Sequence, residues 1–98
     1  MIKNDLHKWF TYLFDERKDK NGFVKCFECG KPMHEDTYKN MSICYSHILS
    51  KKKYPDLKGD PANLVIVHPN CHNLYTVSPL KASKQHNLYK ILIENYNL

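Results

Sequence analysis

The chain should fold as one compact α+β domain spanning residues 1–98. Three observations predict this: apolar stripes at helical spacing near both ends, two short apolar or β-branched runs between them, and paired metal-type side chains, Cys26-x-x-Cys29 and His68-x-x-Cys71, bracketing those runs. Ninety-eight residues bury proportionally little apolar surface, so a metal staple would supplement the core.

The first helix is expected over Asp5 to Arg17, where Leu6, Trp9, Phe10, Leu13 and Phe14 recur at steps of three and four. Asn4 or Asp5 would cap it, and Asn21-Gly22 would turn the chain after it. Phe23 to Phe27 reads as a short strand entering the tight turn Cys26-Phe27-Glu28-Cys29-Gly30-Lys31-Pro32. The polar stretch from His34 to Asn40 reads as a loop. Met41 to Leu49 reads as a strand with Ile43, Tyr45, His47 and Leu49 on one side. Lys51, Lys52 and Lys53 follow, then a turn-rich connection through Pro55 and Gly59-Asp60-Pro61. Asn63 to Val67 forms the second strand and should pair back on the first as a long-looped hairpin. A helix is expected from Cys71 to Thr76 with Asn70 as its cap, and Ser78-Pro79 would open a terminal amphipathic helix carrying Leu80, Leu88, Ile91 and Leu92.

Hydrophobic residues at 42% and aromatics at 12% can fill a core, which argues against disorder, while 26% charged residues suit a soluble surface. No apolar run approaches the roughly 20 residues that span a bilayer, so no membrane partner is expected. The N-terminus alternates charged and apolar residues instead of presenting a secretion signal, and the expected location is cytoplasmic. A formal net charge of +5 favours a polyanionic partner such as nucleic acid. Fourteen of the fifteen basic residues are lysines spread along the whole chain, so charge alone does not localise an interface.

Zinc takes four soft or borderline ligands in a tetrahedron, and two ligands two residues apart can occupy adjacent corners from one tight turn. Cys26 with Cys29 and His68 with Cys71 form two such pairs, and the 38 residues between Cys29 and His68 would be an inserted hairpin clamped at its ends. A redox role for Cys26 and Cys29 lacks the surrounding βαβ context it would need. Cys44 is an alternative fourth ligand. The mirrored spacing favours His68, leaving Cys44 as a small core residue.

His47, at the end of an apolar strand and before three lysines, is placed to take a proton from water near neutral pH. With Asn63 and His72 it completes a pattern, Ser46-His47-Ile48, Asn63-Leu64-Val65 and Cys71-His72-Asn73, that resembles the HNH endonuclease family over about residues 23–77. The resemblance implies a zinc-stapled ββα-metal core with flanking N- and C-terminal helices, and metal-dependent hydrolysis of DNA phosphodiester bonds, by nicking or cleavage. By position, His47 would activate water, Asn63 would hold the hairpin and the base in orientation, and His72 would bind Mg²⁺ or another divalent cation. Products would carry 5′-phosphate and 3′-hydroxyl ends, and a small stand-alone protein of this kind would suit a phage, a mobile element or a restriction system.

Two positions depart from the family pattern. Ser46 stands where many members place a charged or imidazole metal ligand, and Thr76 stands where some place another histidine. Ser46 is therefore expected to assist His72 with only a weak hydroxyl ligand. These gaps support an alternative, a catalytically degenerate zinc-bound nucleic-acid-binding module. Lys51, Lys52 and Lys53 would grip phosphates beside the cut, giving affinity without sequence information. Specificity would then come from a homodimer or a protein partner.

Overall fold

The computed structural model describes residues 3–98, with side chains from Leu6 onward; the caps expected of Asn4 or Asp5 lie outside the described side chains. Helix α1 (Lys3–Arg17) turns Phe10, Leu13 and Phe14 into the core, as its stripe predicts. The chain then reverses through Gly22, whose φ of 85° belongs to the left-handed region that glycine tolerates.

Strands β1 (Phe23–Lys25) and β2 (Pro32–His34) pair antiparallel, with Val24 opposite Met33, and carry the Cys26–Lys31 turn at their tip. The stretch from His34 to Asn40, expected as a loop, contains the end of β2 and a one-turn helix, α2 (Glu35–Tyr38). A three-residue strand that begins with proline and buries only Met33 has no periodicity of its own. Its pairing with β1 creates it.

Strand β3 covers only Tyr45–His47, because Ser42–Cys44 forms a 3₁₀ turn before it and β4 (Leu64–Ile66) offers three partners. Ile43, expected on the inner side with Tyr45, is therefore half exposed. The two strands form the expected long-looped hairpin, and Asn63 closes a 3₁₀ turn (Pro61–Asn63) just before β4.

Helix α3 (Pro69–Val77) begins earlier than expected, with His68 instead of Asn70 in the capping position. Pro69 explains the shift, since its fixed φ suits the first helical residue and its missing N–H is not needed there. Helix α4 (Ser83–Asn95) starts later than Ser78-Pro79 suggested. Residues 79–82 form a turn instead, and Leu80, assigned to the helix's apolar face, is 77% exposed.

The core gathers Phe10 and Phe14 of α1, Met33, Tyr45, Leu49, Leu64, Ile66 and Leu92 of α4. Phe10 stacks on Tyr45 with ring centroids 4.6 Å apart. Each such fully buried large side chain contributes roughly 1.5–3 kcal/mol, so both terminal helices are anchored to the β3–β4–α3 unit. Together these elements make an α+β fold with a ββα core stapled by a Cys/His cluster. Among the described residues, no helix is long and apolar enough to cross a membrane.

Candidate metal centre and catalytic cleft

The β1–β2 tip and the start of α3 bring Cys26, Cys29, His68 and Cys71 together, with one ligand atom from each within 4.8 Å of the others. Among the described residues this is the one group of three or more such side chains able to share an ion. Cys44, the competing fourth ligand, is fully buried outside the group, and burial pushes its thiol up to about 11.

The local backbone is built for thiolate. The N–H groups of Cys29 and His68 both donate to Cys26 Sγ, at 3.5 and 3.3 Å. Burial alone would raise the Cys26 thiol, but these donors and the His68 ring outweigh it and bring it down to about 6. Cys71 goes the other way, to about 12, through burial and the adjacent Cys26 and Cys29 sulfurs. Crowded sulfurs that resist joint ionisation are the arrangement a dication relieves, and the donor set fits zinc.

His47 and His72 open onto one cleft of about 310 Å³, lined also by Ile48, Lys53, Tyr75 and Thr76. Each ring is oriented by a backbone carbonyl. His47 Nε2 pairs with the Lys58 carbonyl at 2.8 Å, and His72 Nδ1 pairs with the Ile43 carbonyl at 2.6 Å. A carbonyl only accepts, so both nitrogens carry hydrogen, and in the neutral form of each ring the lone pair sits on His47 Nδ1 and His72 Nε2. The His47 pKa is held below its usual value by burial, which outweighs the opposing pull of the Lys58 carbonyl, with smaller lowering contributions from Lys51 and His72. It is therefore neutral at pH 7.

Asn63 is fully buried between the strand end and the connecting loop. Its amide donates to the Leu49 and Leu57 carbonyls at 3.0 and 3.1 Å, and its Oδ1 accepts from Leu49 N–H at 2.6 Å. Its turn is further secured by Arg17, the only arginine in the chain, whose guanidinium donates to the Leu64 and Pro61 carbonyls at 2.8 and 3.0 Å. Arg17 reads in sequence only as a charge ending α1. The signal was its uniqueness among fourteen lysines, since a planar fork suits two carbonyls as an ammonium does not.

Ser46 departs from its expected role. Its hydroxyl is fully buried and donates to Gln85 Oε1 at 2.9 Å, because alternation along β3 sends it to the face opposite His47. It is therefore not available to assist His72. Thr76 lines the cleft, but its hydroxyl donates to the His72 carbonyl. Asp60, in the loop, accepts from Ala62 N–H and Tyr96. His72 is thus the histidine whose free nitrogen could take a divalent ion in the cleft, and water and substrate oxygen would complete the shell.

Of the three lysines, Lys53 lines the cleft, while Lys51 and Lys52 are exposed beside it. Ser50 shapes their turn by accepting from the N–H groups of Lys52 and Lys53. Glu28 and Gln85 also carry structural weight that the sequence pattern did not signal. The Glu28 carboxylate accepts from the Lys84 and Gln85 N–H groups at 3.1 and 3.0 Å and so caps α4 from the metal turn.

No curated protein and no solved structure matches the chain significantly. The sequence model described as HNH endonuclease matches residues 26–78, from the first metal ligand to the end of α3 and containing both cleft histidines and Asn63. That span is more than half of the chain, and it coincides with the ββα unit and its Cys/His cluster. The chain therefore belongs to the HNH endonuclease family, a nuclease-type family that acts on DNA.

Proposed function

We propose that the chain is a divalent-metal-dependent DNA endonuclease, working as one domain in the cytoplasm, that nicks or cleaves phosphodiester bonds with His47 as general base. The observation that carries this reading is the pair of imidazoles in one cleft, each with one nitrogen, Nε2 of His47 and Nδ1 of His72, tied to a backbone carbonyl.

His47 Nδ1 takes a proton from a water molecule, whose oxygen attacks phosphorus as the P–O3′ bond breaks and the departing 3′ oxygen takes a proton from solvent water, leaving 5′-phosphate and 3′-hydroxyl ends. The Lys58 carbonyl keeps that nitrogen facing the cleft and stabilises the imidazolium as it forms, as the orienting acceptor of any histidine base does. His72 Nε2 would hold a divalent cation such as Mg²⁺, which when bound would supply Lewis-acid chemistry at the phosphate and the departing oxygen. Asn63 maintains the loop that presents Lys58. Lys51, Lys52 and Lys53 hold flanking phosphates without reading bases. A homodimer or protein partner would supply sequence specificity.

The engaged hydroxyls of Ser46 and Thr76 favour one second reading, a zinc-bound DNA-binding module without turnover. Plasmid nicking by the purified zinc protein with Mg²⁺, Mn²⁺ or Ni²⁺ separates the two. Nicking that His47→Ala and His72→Ala each abolish, with zinc content unchanged, is expected. Full activity in His47→Ala would sink the mechanism, and DNA binding without nicking by the native chain would favour the module.

A further inference from the structure

Gln85 lies on the terminal helix between Lys84 and His86, yet its side chain is completely buried. Its amide contacts three different elements. Oε1 accepts from the Ser46 hydroxyl of β3 at 2.9 Å, and Nε2 donates to the Cys71 carbonyl of α3 at 3.1 Å and to Glu28 Oε1 at 3.3 Å. The amide's orientation is forced, since a carbonyl and a carboxylate can only accept.

Ser46 immediately precedes His47, and Cys71 immediately precedes His72. We propose that Gln85 is a positioning residue: by bridging Ser46 and Cys71 it sets the separation and relative rotation of the strand that carries the base and the helix that carries the metal-binding imidazole. The inference rests on the nuclease reading for its kinetic consequence but not for its structural one.

A buried, fully satisfied amide is rigid, because breaking any one bond leaves a polar group without water to replace its partner. The bond from His72 Nδ1 to Ile43 ties α3 to the segment before β3, but it constrains only the ring side of that contact. Tyr75 of α3 also donates to the Ile48 carbonyl at 2.8 Å on the cleft side, whereas Gln85 ties α3 to the opposite face of β3 through Ser46, and attachment on both faces is needed to prevent α3 from pivoting against the hairpin. Through Glu28 the same amide also joins the metal turn, so the staple and the cleft share one polar network.

The test uses Gln85→Met, similar in length and without hydrogen bonds, and the double variant Gln85→Met with Ser46→Ala, which removes the orphaned hydroxyl. Zinc stoichiometry, Tm, nicking kinetics and imidazole ¹⁵N NMR of the zinc-loaded, magnesium-free protein are measured for each. A misplacement of the reacting groups by about 1 Å costs about 100-fold in rate. Gln85→Met is therefore expected to lower kcat by about 10- to 100-fold with KM for DNA changed less than about twofold. The double variant should recover Tm without recovering kcat, and His72 should lose its single Nδ1–H tautomer in both. Native kcat and an unchanged tautomer in Gln85→Met would overturn the proposal, as would joint recovery of Tm and kcat in the double variant. If the native chain does not nick DNA, the nuclease reading falls and the NMR comparison still decides the role of Gln85.

Discussion

Asn63 and His47 are coupled through the loop between them: the Asn63 amide grips the Leu57 carbonyl at 3.1 Å, and the next carbonyl, that of Lys58, holds His47 Nε2 at 2.8 Å. One buried side chain thus shapes both the end of the strand and the loop that orients the proposed base.

Asn63→Asp should be strongly destabilising although the two side chains are nearly isosteric. It replaces a two-proton donor with a carboxylate facing the Leu49 and Leu57 carbonyls, and burying an unpaired polar group costs about 2–4 kcal/mol. Urea denaturation checks the stability loss, and nicking assays should show a matching fall in kcat as His47 loses its support. A loss under about 1 kcal/mol would contradict the bridging role.

Arg17→Lys keeps the charge but cannot serve both the Leu64 and Pro61 carbonyls in one plane. A destabilisation of about 1–2 kcal/mol is expected, and Arg17→Met should cost more, because both carbonyls lose their partner. Thermal melts of the two variants measure the order.

The depressed His47 pKa sets a pH window. A folded value below the usual ~6.5 means that the unfolded chain binds more protons between the two values, so this residue's contribution is complete above about pH 6.5 and is lost as pH falls through the folded pKa. The neutral base persists over the same range. The acid limb of the kcat/KM profile should therefore lie below pH 6.5, and Lys51→Ala, by removing a nearby positive charge, should move it upward. NMR titration of the His47 ring gives the pKa directly. A value above 6.5 would remove the case for burial.

Cys44 and Cys26 should respond in opposite ways to replacement by serine. Cys44→Ser puts a hydroxyl into the core at a cost of about 1–3 kcal/mol while retaining one zinc per chain. Cys26→Ser should lose zinc and the fold together, because a structural zinc site contributes on the order of 10 kcal/mol of folding free energy. Metal analysis with circular dichroism reads both, and zinc loss in Cys44→Ser would reopen the choice of fourth ligand. Chelation of the native chain should reproduce the Cys26→Ser phenotype.

Much of this architecture is legible in the residues themselves. The α1 stripe, the long-looped hairpin and both ligand pairs depend on local spacing, and local spacing survives in a linear chain. The reading fails where a partner far along the chain decides the outcome. Strand β2 exists because β1 is beside it, α4 begins where Glu28 caps it from 56 residues away, and Leu80 is exposed because the turn at residues 79–82 excludes it.

By itself, the sequence determined the family, the α+β class and the identities of the groups able to do chemistry, because ligand type, spacing and hydrophobic period are properties of the chain. Only the tertiary structure decided which nitrogen of each histidine is free, that Ser46 turns inward to Gln85 and away from the cleft, and that Arg17 and Glu28 secure distant turns. Those outcomes depend on hydrogen bonds between segments that meet only after the core closes, where the same side chain can serve a metal, a backbone carbonyl or another side chain according to the face on which it lands.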